Sequence, residues 1–467
     1  MTETLILMKS ELVITLIIFI LLFIKIGAGM ANKNLLLLIQ WLLLGNLLAS
    51  FLYNEEGWLF AGMYHTGNLI AVQKSILSGA VYLIALLFTS WFKTTKHLAE
   101  FFILLLSALL GMFFLLSAGN LLMFFLGLEL ATIPVAALAN FDIDKKRSSE
   151  AAMKMILSSV FSSGILLFGI SLVYGTTGTL QLNELYQMMD GSDLQKLSFI
   201  FLIAAFGFKL SIVPFHLWTA DVYEGAPTAT TSFLSVVSKG AFAFVLLAVL
   251  YKVFAPMQQV WYSMIVALSA ITMLTGNLFA VRQQNIKRFL AFSSIAQVGF
   301  ILVGISNGSA AGISAVVFFI LVYVFSNLAA FAVADAIAVQ TGREKIEDYK
   351  NLYQTNPFLS WAMALALFSL AGIPPAAGFF GKLFLISAGA AEGSYLFIAF
   401  AALNMVIALY YYLRVVRCIF MDKQEMPVEK IAVPATTTFG LWICIAGIVL
   451  AGVLSWMFDF IVSISIL

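Results

Sequence analysis

The chain has 467 residues, of which 62% are hydrophobic and only 10% charged, and its mean hydropathy is +1.02. A soluble domain carries about 25% charged residues, so this composition excludes an ordinary soluble enzyme and points to an all-α polytopic membrane protein. A formal net charge of +2 is too small to attract nucleic acid. The two cysteines, Cys418 and Cys444, lie in or beside apolar runs without metal-ligand spacing or a disulfide framework, and read as helix-packing residues.

The first apolar run, Leu12 to Ile24, is followed by Lys25 with no clear small-residue cleavage site, so it reads as a retained span and not as a signal peptide. From there, runs long enough to cross about 30 Å of hydrocarbon recur to the end. Fourteen spans are expected, at 10–30, 34–53, 70–91, 98–118, 120–140, 151–174, 197–216, 227–252, 257–281, 288–306, 310–339, 356–390, 394–420 and 434–462. The connections are short, and 175–196 carries the only soluble-looking segment.

Lysine and arginine counts orient the spans. Loops after odd-numbered spans, with their flanks, hold eighteen of the 25; the opposite side holds four, Lys9, Lys74, Lys196 and Lys252. Odd-numbered loops are therefore expected in the cytoplasm and both termini outside. Three lysines belong to no loop: Lys209, Lys239 and Lys382. A lysine at bilayer depth costs about 2.5–3.5 kcal/mol on insertion scales, so each needs a reason.

Two spans look broken. The seventh carries Pro214, and the twelfth carries Gly372-Ile373-Pro374-Pro375. Proline removes an amide donor and frees the carbonyl four residues earlier, here Leu210, Leu370 and Ala371. Unsatisfied backbone at this depth is tolerated only inside protein or beside water. Two broken spans, five apart, suggest two inverted five-helix repeats, as in transporters that pass ions along interrupted helices. The expected division is 1–97 (helices 1–3), 98–253 (first repeat), 254–420 (second repeat) and 421–467 (helix 14).

Glu129 sits centrally in the fifth span, and Lys154 one turn into the sixth is its expected partner. With Lys209, Lys239 and Lys382 they read as a proton relay: an acid that pairs with or leaves one lysine changes whether the next holds a proton, and water beside the broken helices joins them. His216, with an unperturbed pKa of about 6.5, is a candidate for the cytoplasmic inlet. Plainer readings compete: a snorkelling interface lysine for Lys154, a helix-end histidine for His216, solvated loop acids or caps for Asp221 and Glu224, an interfacial acid for Asp335, and a static buried ion pair for the central charges. One carboxylate cannot neutralise two mid-span lysines, which weakens the last. No phosphate loop, iron–sulfur or haem ligand set, or activated nucleophile is visible, so any redox step belongs to a partner.

The stretches FLGLEL at 125–130, RSSEAAMKMIL at 147–157, FKLSIVPFHLWTADVYEGAPT at 208–228, SVVSKG at 235–240, KRFLAFSSIAQVG at 287–299 and AGIPPAAGFFGKL at 371–383 closely resemble the antiporter-like membrane subunits of respiratory complex I. The resemblance covers spans 4–13 and departs at Ala220, where the motif usually has proline. It implies a fourteen-helix fold with one proton channel, and that Glu129, Lys154, Lys209, Lys239 and Lys382 match the family's functional charges, with His216 near the inlet. It also implies partners in a bacterial inner membrane: other membrane subunits, and a peripheral arm holding flavin, iron–sulfur clusters and the route to quinone, with no cofactor in this chain. Lysine at 382 in place of glutamate, and no long amphipathic helix after the last span, argue against two sister subunits. Photosynthetic relatives fit the histidine motif less well. A cation/proton antiporter subunit of the Mrp type is the alternative function, and a structural scaffold the second.

Overall fold

In hydrocarbon every backbone amide must be satisfied within the segment, so apolar runs of this length fold as helices. The computed structural model describes residues 2–27, 29–52, 55–390, 393–423 and 428–465; residues 28 and 53, inside the first two expected spans, and the extreme termini lie outside them. The spanning helices are α1 Lys9–Ile26, α2 Asn32–Ser50, α3 Asn68–Leu87, α4 Leu98–Leu116, α5 Leu121–Ala139, α6 Lys146–Thr177, α7 Asp193–Leu210, α8 Leu217–Gly225 and α9 Thr228–Lys252. They continue as α10 Gln258–Arg282, α11 Ile286–Ser306, α12 Ala310–Thr341, α13 Pro357–Ala371, α14 Ala377–Ala390, α15 Tyr395–Phe420, α16 Ala435–Val453 and α17 Trp456–Ile464. Among the described residues eleven helices are long and apolar enough to cross a membrane, with α13 and α14 as shorter apolar pieces. Every expected span is thus met by one helix or by a broken pair, and the protein is an all-α polytopic membrane protein of roughly fourteen spans.

The breaks fall where proline placed them. After α7, Ser211 takes a left-handed conformation (φ 65°), and after α13, Gly372 does (φ 85°). The next amide closes the turn in both: Ile212 N–H donates to Gly207 O at 2.8 Å and Ile373 N–H to Phe368 O at 3.0 Å. A third break, unforeseen, splits the fourteenth span into α16 and α17. In α9, Phe233–Ser238 form a π-helical stretch that ends at Lys239. Such insertions are frequent at functional sites, and no residue pattern announced this one.

Other arrangements also occur twice. The side chain of Asn120 caps α5, accepting from Met123 N, and Asn285 caps α11, accepting from Lys287 N and Arg288 N. Each cap residue forms an isolated antiparallel bridge, Asn120 with Gln181 and Asn285 with Lys345. Each bridge lies just past a 32-residue helix, α6 or α12, that ends at a left-handed glycine, Gly178 or Gly342. Two close helix pairs, α4–α5 and α10–α11, also match. A Cβ on Gly111 would lie 2.3 Å from Ala131 N, and one on Gly276 2.5 Å from Ala296 N, so only glycine permits this backbone approach.

Three expectations about polar residues change. Residues 57–66 form a hairpin of β1 Gly57–Leu59 and β2 Tyr64–Thr66, a second ordered segment outside the spans. Lys74 and Lys287, counted with the loops, are buried within α3 and α11. Asp335, expected at the interface, is buried in α12 beside Thr228, within electrostatic reach of Lys287.

Candidate functional site

Four of the expected residues lie inside the bundle. Lys209, at the end of α7, is buried and donates to Thr132 Oγ1 on α5 at 3.1 Å. Glu129 stands one turn before Thr132 on the same helix face, and its charge acts on Lys209. One of its oxygens, Oε1, is buried without a hydrogen-bond partner. A cavity of about 20 Å³ is lined by Lys209, Thr132, Trp218 and Ser238, the residue before Lys239; a water needs on the order of 10–15 Å³ of such space, so one fits.

Lys239, where the π-helical stretch ends, donates to Ser294 Oγ on α11 at 2.6 Å and sits over the Tyr223 ring, 5.4 Å from its centre. The next residue on α11, Ser293, bonds to Tyr412 Oη on α15. Gln297, one turn on, donates from Nε2 to Tyr412 Oη at 3.1 Å and to Leu370 O at 3.0 Å. Lys382 donates to the same Leu370 O at 2.7 Å and lies over Phe300. The carbonyls of Leu370 and Ala371, freed by the prolines as expected, are where Lys382 docks. Lys239 thus bonds to Ser294, which donates onward to Ala291 O at 2.9 Å, and a separate hydrogen-bonded set runs from the neighbouring Ser293 through Tyr412, Gln297 and the Leu370 carbonyl to Lys382.

The expected Glu129–Lys154 pair is not formed. Lys154 Nζ bonds to Asp221 Oδ2 at 2.5 Å and Glu150 Oε1 at 2.6 Å. Asp221 also takes Arg288 Nη1 at 2.7 Å, which reaches Glu224 at 2.9 Å. The reason is the break after α7: it folds α8 back against α6, so Asp221 meets Lys154 before Glu129 can. Asp221 and Glu224 are thus half-buried members of an ion network, not solvated loop acids. Lys154 and Asp221 line an open cleft, and Ser158, Phe208 and Trp218 form both its wall and that of the small cavity at Lys209. Trp218 Nε1–H donates to Phe208 O at 2.9 Å and holds that wall together. His216 is buried in the break, where the charge of Lys239 reaches it. Among the described residues no cluster of three His, Cys, Asp or Glu could hold a metal ion.

The family model described as NADH:quinone oxidoreductase/Mrp antiporter, TM, matches residues 118–408. The NADH-quinone oxidoreductase subunit N of Phocaeicola vulgatus is 44% identical over 464 residues, 98% of each chain. The chain belongs to the subunit N family of NADH-quinone oxidoreductase. The matched stretch holds Glu129, Lys154, Lys209, His216, Lys239 and Lys382. A chain of respiratory complex I from Thermus thermophilus with bound aureothin has the same fold, with a TM-score of 0.81 at 26% identity over 96% of this chain and 98% of that one. A chain of the Mrp complex from Dietzia sp. superposes with a TM-score of 0.86 at 20% identity over 98% and 96%, which speaks to the fold alone.

Within this subunit N scaffold, the residues that the sequence did not single out are the connectors: Thr132, Ser293, Ser294, Gln297 and Tyr412. One signal existed. Ser293, Ser294 and Gln297 fall on one face of α11 at helical spacing, in a span whose other residues are almost all apolar.

Proposed function

We propose that this chain is a proton-translocating membrane subunit of an NADH:quinone oxidoreductase, and that Glu129, Lys209, Lys239 and Lys382 carry the proton. The single observation behind this is the row of polar groups between Lys239 and Lys382: Ser294, Ser293, Tyr412, Gln297 and the Leu370 carbonyl. Two ammonium groups in a bundle of this kind are costly, and a static core has no use for polar groups set in a row between them.

In this reading a proton reaches Lys209 from the cleft at Lys154 and Asp221, passing the Ser158–Phe208–Trp218 wall. Glu129 attracts it there, and the loss of that attraction sends it through the cavity at Ser238 to Lys239. Water beside the broken helix then carries it to Lys382, along a path held open by Ser294, Ser293, Tyr412, Gln297 and the Leu370 carbonyl. Lys154 stays outside the central chain and tunes the inlet through its sharing of Asp221 with Arg288; His216 accompanies the step at Lys239. Each charge moved against 100 mV costs about 2.3 kcal/mol, supplied by electron transfer to quinone in partner subunits that hold the flavin and iron–sulfur clusters.

The duplicated breaks, caps and bridges favour inverted repeats at 98–253 and 254–420, flanked by 1–97 and 421–467. The basic-residue asymmetry favours cytoplasmic odd-numbered loops, with both termini on the outer side of a bacterial inner membrane. In the assembled complex in closed vesicles, Lys209→Met should leave NADH oxidation with uncoupler intact and lower the proton-to-electron ratio. An unchanged ratio, with assembly verified, would remove the relay.

A further inference from the structure

Glu11 and Lys74 lie outside the stretch that the family model matches, on helices that precede both proposed repeats. They are 1% and 2% exposed, and Lys74 Nζ donates to Glu11 Oε1 at 2.6 Å. Tyr64, from the hairpin, donates to the same oxygen at 3.1 Å and lies 3.2 Å from Lys74 Nζ. The second carboxylate oxygen, Glu11 Oε2, is buried with no hydrogen-bond partner. A clamp that earned its burial would satisfy both oxygens, because an unmade bond to a buried charge is expensive. The bare oxygen is a place where a proton can be held.

Two neighbours give the pair a direction. On one side, Gln73 and His65, each one residue from a member of the triad, line a cavity of about 80 Å³ with Trp58, Asn183 and Lys252. At on the order of 10–15 Å³ per water, several waters fit. Lys252 at its edge is exposed. His65 faces Glu56 at 3.7 Å, and burial together with the charge of Lys252 holds its imidazole below its ordinary value. On the other side, Leu77, one turn past Lys74 on the same face of α3, packs against Gly240: a Cβ there would lie 3.5 Å from Leu77 Cδ2. Gly240 follows Lys239. The pair is thus one turn from the relay helix and one residue from a mostly apolar cavity that carries Gln73, His65, Asn183 and Lys252.

We propose that Glu11, Lys74 and Tyr64 form a second proton-handling station, through which protons leave for the side that carries few basic residues. The inference rests on the proposed function. A proton passes from the Lys74 ammonium to the Glu11 carboxylate, leaving a neutral amine and a carboxylic acid. The acid gives up its proton toward the cavity beside Gln73 and His65, and the next proton from the bundle restores the ammonium. The pair ends as it began, with one proton carried across. Tyr64 holds the shared oxygen in place.

The test is the proton-to-electron ratio of the assembled complex in closed vesicles. Two variants are compared with wild type and with Lys209→Met: Glu11→Met/Lys74→Met, which keeps volume and removes both charges, and Glu11→Gln, which keeps the acceptor and removes the proton. A buried ion pair replaced whole by apolar residues of similar volume is often neutral for folding. The station predicts that whichever variant assembles has a ratio lowered by up to the loss seen in Lys209→Met, with uncoupled NADH oxidation retained. An assembled variant with the wild-type ratio overturns it. If neither assembles, the pair is a fold clamp and the proposal also falls. Wild-type vesicles that show no NADH-driven proton movement would instead sink the proposed function itself.

Discussion

Removing the Ser294 hydroxyl isolates Lys239. The hydroxyl is the acceptor for Nζ at 2.6 Å, and an unmade hydrogen bond to a buried charged group costs about 1.5–3 kcal/mol. Ser294→Ala should therefore lower the proton-to-electron ratio toward that of Lys239→Met, while Ser294→Thr keeps most of it; closed-vesicle pumping at matched assembly measures both. Gln297→Leu should do the same from the far end, because it cuts the link to Leu370 O. Glu129, Lys209, Lys239 and Lys382 were legible in the sequence because a charge in an apolar span is conspicuous. Ser293, Ser294 and Tyr412 were not, since a hydroxyl can return its proton to its own helix and is cheap at any depth. The partner of Lys154 was misread for another reason: adjacency of spans five and six favoured Glu129, whereas the fold-back at the broken helix delivered Asp221.

Helix lengths and the breaks after α7 and α13 follow from the bilayer and from proline, so a single sequence displays them; the break between α16 and α17 has no proline and stays hidden. Close approach between helices does not show itself, because a glycine in a span reads alike whether it faces lipid or backbone. Gly111→Ala puts a methyl 2.3 Å from Ala131 N, and Gly276→Ala one 2.5 Å from Ala296 N, whereas Gly164 in α6 has nothing within 4 Å. The first two substitutions should lower the yield of assembled complex, read on native gels. Gly164→Ala should be neutral or slightly stabilising, since alanine is the better helix former. The π-helical stretch before Lys239 has no residue signature at all; it packs against α3 and α12.

At the scale of the molecule, the family was legible because its broken-helix motif unites a proline, a histidine and two acids in one short segment. Sidedness is open to a direct measurement. Both native cysteines are buried, so single introduced thiols report on their own positions. Lys145→Cys, at a side chain 69% exposed, should react with a membrane-impermeant maleimide only after the membrane is opened. Lys196→Cys, at 44%, should react in intact cells. The reverse pattern would invert the topology.

Every residue of α11 except Arg288 is buried. During synthesis, however, it enters the bilayer before α12 to α15 exist, and Ser293, Ser294 and Gln297 then face acyl chains instead of Tyr412 and the Leu370 carbonyl. A ribosome-bound intermediate stopped beyond Ser306 would hold these three polar groups without their shelter. Quality-control proteases should find that state first, which makes the timely arrival of α15 a condition for biogenesis as well as for transport.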